Sequence, residues 1–278
     1  AAYAGAIFNA SGGNLLIDAV HITNNYGDYM GGGIVHNENP CIDRENHGTL
    51  TIKNSAITSN SDQHDNGGVY LFGGIANISN TTISGNSGGL GNWLFDGKPE
   101  IHLSHTTIVD NAGDDLGIST DAFVTISNSI IEHSIDGNGA SFAGQIDQIH
   151  NSIISVEDRG SIVHLENGNL IGSASTPIEM KLLPLDTTVP IPYHPLQPDS
   201  PAIDAGSFST FASTDQNGVP RPLDGNSDGL PRADMGASEF GQNGSAPVTV
   251  NDTYVIRKGE TLELPGTLSR NQDCGSFI

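Results

Sequence analysis

The sequence predicts an all-β fold, a right-handed parallel β-helix of about six stacked coils, and three observations carry that prediction. An isoleucine-rich unit recurs with a period in the twenties, glycine-led strands precede its copies, and the composition suits short strands and tight turns. Among 278 residues there are 35 glycines, only 15% of residues are charged, and 36% are hydrophobic, enough to bury a core.

The unit reads apolar, any, Ile or Leu, any, Asn, Ser or Thr, any, Ile, any, any, Asn. Its first anchor falls at Ile17, Ile52, Ile78, Leu103, Ile126 and Ile149, with the spacing shrinking from 35 to 23 residues. The second anchor, five residues on, is isoleucine in every copy: Ile22, Ile57, Ile83, Ile108, Ile131 and Ile154. Strands this short cannot bury an apolar face alone, so coils must stack at about 4.8 Å each, giving a rod of about 29 Å. Gly32-Gly33-Ile34-Val35 and Gly67-Gly68-Val69-Tyr70 supply further strands upstream of their anchors.

Two residues after the first anchor stand Ala19, Asn54, Asn80, His105, Asn128 and Asn151. Asparagine tolerates the left-handed backbone of a sharp corner, so this column predicts a ladder of Asn54, Asn80, Asn128 and Asn151 amides bonding from coil to coil. A second column, Asn25, Asn60, Asn86 and Asn111, follows eight residues after the anchor and then lapses.

With 32 Asp plus Glu against 10 Lys plus Arg, the formal charge is −22, which would repel nucleic acid and anionic membrane surfaces alike. Such acidity suits a calcium-rich exterior, or simply a solvated surface. Cys41 and Cys274 are the only cysteines, which excludes a disulfide scaffold but leaves open one bridge between them. No apolar run approaches the length of a membrane span and no signal peptide is visible, while AAYAGAIFN reads as the middle of a repeat. The expectation is an extracellular or cell-surface fragment whose natural chain begins upstream.

After the coils come NLIG at 169–172, SPAIDAG at 200–206, DQNGVPRP at 215–222 and DMGASEF at 234–240. Together with the repeat, this order resembles the parallel β-helix proteins of bacterial surfaces, in the pectate-lyase-like superfamily, that end in a choice-of-anchor segment. The resemblance implies coils over 1–175, a closing anchor-type segment over 176–244, and, from PVTVNDTYVIRKGETLEL onward, a strand tail over 245–278 that opens an incomplete following module.

The outward rows beside the first anchor are Leu16, Thr51, Asn77, His102, Thr125 and Gln148 on one side and Asp18, Lys53, Ser79, Ser104, Ser127 and His150 on the other. They could hydrogen-bond an extended glycan, or be a solvated sheet face. The insertion at 36–48 gathers Cys41, Asp43, Arg44, Glu45 and His47 in a loop, without the spacing of a defined metal motif.

By the same resemblance, a calcium-dependent polysaccharide lyase would want a base beside carboxylates on consecutive coils, and a glycoside hydrolase would want paired carboxylates. The candidates are Lys53 above Asp18, with Arg44 and His47 from the loop. A neutralising cross-strand pair explains Lys53 and Asp18 equally well. For calcium, Asp224, Asn226 and Asp228 followed by Gly229 match the front half of an EF-hand-type loop, with Asp234 in place of the missing bidentate Glu. Asp-Gly-Asn runs are also ordinary turns. The leading expectation is a non-catalytic surface module that binds a glycan or surface protein, or assembles end to end with itself through its terminal strand.

Overall fold

The computed structural model describes residues 5–10, 12–28, 31–38, 48–92, 99–118, 122–134, 146–157, 164, 166–209 and 211–241, with backbone alone at 10, 37, 38 and 134. The chain divides into Ala1–Pro247 and Val248–Ile278, and the second unit lies outside the described residues, as does the expected tail over 245–278. The first unit is a parallel β-solenoid of about five full turns with three long strand columns and one short parallel pairing, Tyr26–Gly27 with Ser61–Asp62.

One column stacks Ile7–Ala10, Ile34–Glu38, Val69–Leu71, Leu90–Asn92 and Leu116–Gly117. A second, the anchor column, stacks Leu15–Asp18, Thr49–Lys53, the first halves of Ile75–Ser84 and Glu100–Val109, then Phe123–Ser127 and Gln148–His150. The third, the flank column, stacks His21–Thr23, Ala56–Thr58, the second halves of the two long strands, Ile130–Ser134, Ile153–Glu157 and Leu170–Ile171. All pairings in these columns are parallel, and both sets of predicted anchors fall in register. Ile17 stacks on Ile52, Ile78, Leu103, Ile126 and Ile149, and Ile22 on Ile57, Ile83, Ile108, Ile131 and Ile154. All twelve are buried in one continuous core, so each coil covers its neighbour's apolar edge.

The corner between the anchor and flank columns follows from the Asn-Ser/Thr dipeptide. Ala19, Asn54, Asn80, His105, Asn128 and Asn151 all take positive φ, between 45° and 54°, which turns the strand sharply. Parallel pairing is interrupted there, and the following hydroxyl repairs it. Ser129 Oγ accepts the Thr106 amide and donates to the Ser127 carbonyl, and Ser152 Oγ accepts the Ser129 amide and donates to the His150 carbonyl. At the last coil Asn169 Oδ1 takes the hydroxyl's place and accepts the Ser152 amide.

Continuous amide-to-amide bonding belongs to the second asparagine column. Asn25 Nδ2 donates to Asn60 Oδ1 at 2.9 Å, Asn60 to Asn86 at 3.0 Å, Asn86 to Asn111 at 2.9 Å, and Asn111 to Asp115 at 2.7 Å. Each acceptor oxygen from Asn60 to Asn111 also takes the backbone amide of the asparagine one coil earlier. In the first column the amides act differently. Asn80 donates to Asn54 at 3.3 Å and Asn54 to Asp18, whereas Asn128 and Asn151 bond the C-terminal segment. The physical difference is what each corner faces: Asn60 and Asn86 also bond the Ile22 and Ile57 carbonyls of the coils, while Asn80, Asn128 and Asn151 meet Thr214, Ser207 and Ala205 of the C-terminal segment.

The paired glycines mark where coils approach most closely. A Cβ on Gly33 would lie 2.5 Å from the Gly68 carbonyl oxygen, and one on Gly68 would lie 2.2 Å from that of Gly89, so no side chain fits.

Residues 172–241 carry only isolated bridges, among them Leu182↔Leu196, Asp186↔Tyr193 and Leu223↔Arg232, yet they are well packed. They run as a strap along the outer face of the flank column. The outward Val109, Ile130 and Ile153 meet Leu196, Ala202 and Met235 in a second apolar cluster. Polar contacts fix its course: Asn80 Nδ2 donates to the Thr214 carbonyl, Thr82 Oγ1 to Gln216, and the Gly236 and Ala237 amides donate to the Asn128 carbonyl and Thr107 Oγ1.

The motif residues of the tail hold the strap to itself. Arg221, wholly buried, donates to the carbonyls of Asp234 and Gly236, and its Nε lies 3.3 Å from Glu239 Oε2. Glu239 accepts the Leu223 and Asp234 amides, Asp234 those of Asp204 and Phe240, and Asp215 those of Asn217, Val219 and Glu239. Buried carboxylates thus terminate backbone donors that no sheet pairs. Burial, reinforced by the Glu239 charge, pushes the Asp234 carboxyl up to about 8.

Candidate functional site

The three flanks of the solenoid differ in what covers them. The strap lies on the flank column, and on the first column the outward Val35 and Tyr70 are buried together with Phe72. The anchor column keeps its outer side in contact with solvent over six rungs, because outward residues alternate with the buried anchors: Thr51, Asn77, His102, Thr125 and Gln148 in one row, Lys53, Ser79, Ser104, Ser127 and His150 in the next. All are exposed or half-buried. Leu16 and Asp18 head the two rows and are exposed as well.

Lys53 Nζ sits 3.0 Å from Asp18 Oδ2, and Asn54 Nδ2 donates to Asp18 Oδ1 at 2.9 Å. The Asn54 hydrogen bond, then Lys53, holds the Asp18 carboxyl below the usual carboxylate range. This arrangement neutralises a lysine. Two coils on, His102 Nδ1 lies 2.8 Å from Thr125 Oγ1, and its ring meets the edge of Phe123 at 6.2 Å between centroids. Glu100 Oε2 stands 3.7 Å from His102 Nε2, and Glu100 is the register partner of Phe123. An imidazole, a carboxylate, a hydroxyl and an exposed aromatic ring therefore converge on rungs four and five.

Of the other residues singled out in the sequence, those that are described lie apart from this face. Arg44, His47 and Cys41 fall outside the described residues, as does Cys274. Asp224, Asn226 and Asp228 form a turn closed on its own backbone: Asp224 accepts the Asp228 and Gly229 amides, Asn226 that of Asp228, and Asp228 that of Leu230. Asp234 is buried in the Arg221 network with both carboxylate oxygens accepting amides. It does not join the loop's oxygens through any of those bonds.

Among the described residues, Asp115, Glu132 and His133 bring ligand atoms within 4.8 Å of one another and are the group able to share a metal ion. The buried Asp115 carboxyl is pushed up to about 6 by burial, opposed by its Asn111 hydrogen bond and raised again by Glu132. It accepts the Asn111 amide group and the His133 backbone amide, while Glu132 accepts the Asp110 amide. These bonds explain the group as the terminus of the asparagine ladder. Sequence reading missed it because Asp115 lies four residues after Asn111, where the repeat spacing offers no cue.

No known protein family, curated protein or solved structure matches the chain.

Proposed function

We propose that this chain is an extracellular or cell-surface β-helical module whose open face adheres to an extended polysaccharide. The observation that carries the reading is the contrast among the three flanks: one is covered by the strap, one buries the outward Val35 and Tyr70, and the third exposes a six-rung polar lattice. The rung spacing of about 4.8 Å is close to the length of one pyranose in an extended chain, so successive sugars meet equivalent hydroxyl and amide rows. Exposed Phe123 and Ile75 offer apolar surface for sugar ring faces between the polar groups. The strap motifs resemble those of choice-of-anchor surface proteins, which supports the placement on a cell surface.

Sedimentation of the protein with insoluble polysaccharides tests the proposal. Retention that falls several-fold in His102→Ala/Phe123→Ala supports it; no retention on a panel covering neutral, anionic and amino polysaccharides rejects it. High-mass species in light scattering without any glycan would favour end-to-end self-association instead. A second reading, a calcium-dependent lyase or a glycoside hydrolase, draws on Lys53 and Asp18 sharing the open face. Unsaturated product from uronates that disappears in Lys53→Ala would establish the lyase, and a reducing-end assay tests hydrolysis.

A further inference from the structure

We infer that the open face takes a cationic polysaccharide, an extended chain of amino sugars bearing free ammonium groups. This rests on the glycan reading and names its substrate class. The argument is charge complementarity on a periodic surface. Lys53 is the one Lys or Arg on the described strands of the anchor column, and its charge is spent on Asp18. No further Lys or Arg of those described strands is left to hold a uronate carboxylate, and the chain as a whole carries −22, so a polyanion meets repulsion.

A cation meets the opposite. Glu100 is exposed on rung four, where its nearest cationic partner among the described residues is His102 at 3.7 Å, and Asp147 is exposed beside rung six, where its carboxylate accepts the Val124 amide. Phe123 lies in register with Glu100 on the next rung, with 40% of its surface exposed. An ammonium beside Glu100 thus places the adjoining sugar over an aromatic face, which attracts both its C–H surface and a neighbouring cation. Thr51, Asn77, Ser79 and Ser104 continue the track with hydroxyl and amide groups that serve sugar hydroxyls on earlier rungs.

The experiment is calorimetric titration of the full chain with a glucosamine hexamer, its fully N-acetylated counterpart and a galacturonate hexamer, each at low and raised salt. The expected result is that the free-amine hexamer binds about three- to fivefold tighter than the acetylated one, the ratio a surface ion pair supports, and loses that margin in salt. Glu100→Gln should erase the margin between the two hexamers, and Phe123→Ala should weaken both. Equal or tighter binding of the acetylated hexamer overturns the cationic assignment and leaves glycan adhesion standing. A margin that survives Glu100→Gln also overturns it, by showing general attraction to an acidic protein. Failure of all three hexamers to bind removes this inference, while the polysaccharide panel above decides adhesion separately.

Discussion

The solenoid and the strap solve the same problem in different ways. In the coils, backbone donors are satisfied by parallel neighbours and the interior is an apolar stack of isoleucines, with polar ladders only at the corners. Over 172–241 there is almost no sheet, and the donors end instead on buried carboxylates arranged around one arginine. A repeating chain can use its own next coil as partner. A non-repeating one must bring a specific charge from elsewhere, and it becomes sensitive to charge where the coils are sensitive to volume.

That contrast can be broken first at Arg221. Replacing Arg221 with Ala leaves Glu239, Asp234 and Asp215 buried without their cation, at an expected cost of about 3–5 kcal/mol. Limited proteolysis should then cut the strap before the coils; simultaneous cutting of both would show that they unfold as one unit. In the coils, Ile83→Ala opens a cavity beneath two neighbours and should cost about 2–5 kcal/mol in denaturant unfolding, without preferential cleavage of the strap. Next comes Asn86→Ala, which removes the acceptor for both the backbone and side-chain N–H of buried Asn60 and should cost about 1–3 kcal/mol. Asn86→Asp, which keeps the acceptor, should recover part of that loss.

Two buried groups, one in each region, should also answer pH in opposite directions. The Asp234 carboxyl, pushed up to about 8, holds its proton more tightly folded than unfolded. Its contribution is fully present below the ordinary carboxylate range, declines as pH rises, and is gone above about 8. Asp234→Asn should therefore flatten the fall in stability between pH 6.5 and 8. In the coils, burial, with the nearby Arg221 charge, holds the His105 imidazole down to about 3, so the folded state resists a proton that the unfolded chain accepts below 6.5. Stability from this group is complete above 6.5 and lost as pH falls toward 3. His105→Asn, restoring the column's usual residue, should soften the acid loss, as read by thermal unfolding across pH. The smallest effect is expected at Lys53→Ala, whose half-exposed pair with Asp18 should contribute no more than about 1 kcal/mol, reduced by salt.

The fold was legible because its cause is local and repeated. An isoleucine or leucine at each anchor and an Asn-Ser/Thr at four of the six corners state the inward face and the turn within a dozen residues, and stacking multiplies the statement. The rows beside the anchors were legible for the same reason: once the anchors point inward, Lys53 must stand beside Asp18 and Thr125 beside His102. The role of each asparagine column was harder to read, since both show the same amide at the same period. Which one bonds to itself depended on whether its corner was enclosed or faced the strap.

By itself, then, the sequence determined a parallel β-solenoid, the register of its core and the rows on its outer faces, because periodic apolar burial allows one alignment of coil on coil. Only the tertiary structure decided which face stays open and what the tail motifs do. Contacts such as Asn80 with Thr214 and Thr107 with Ala237 join residues 134 and 130 positions apart, and Arg221 meets Glu239 through a path with no regular secondary structure. Such pairings follow from where the strap crosses the coils, and no local spacing encodes that crossing.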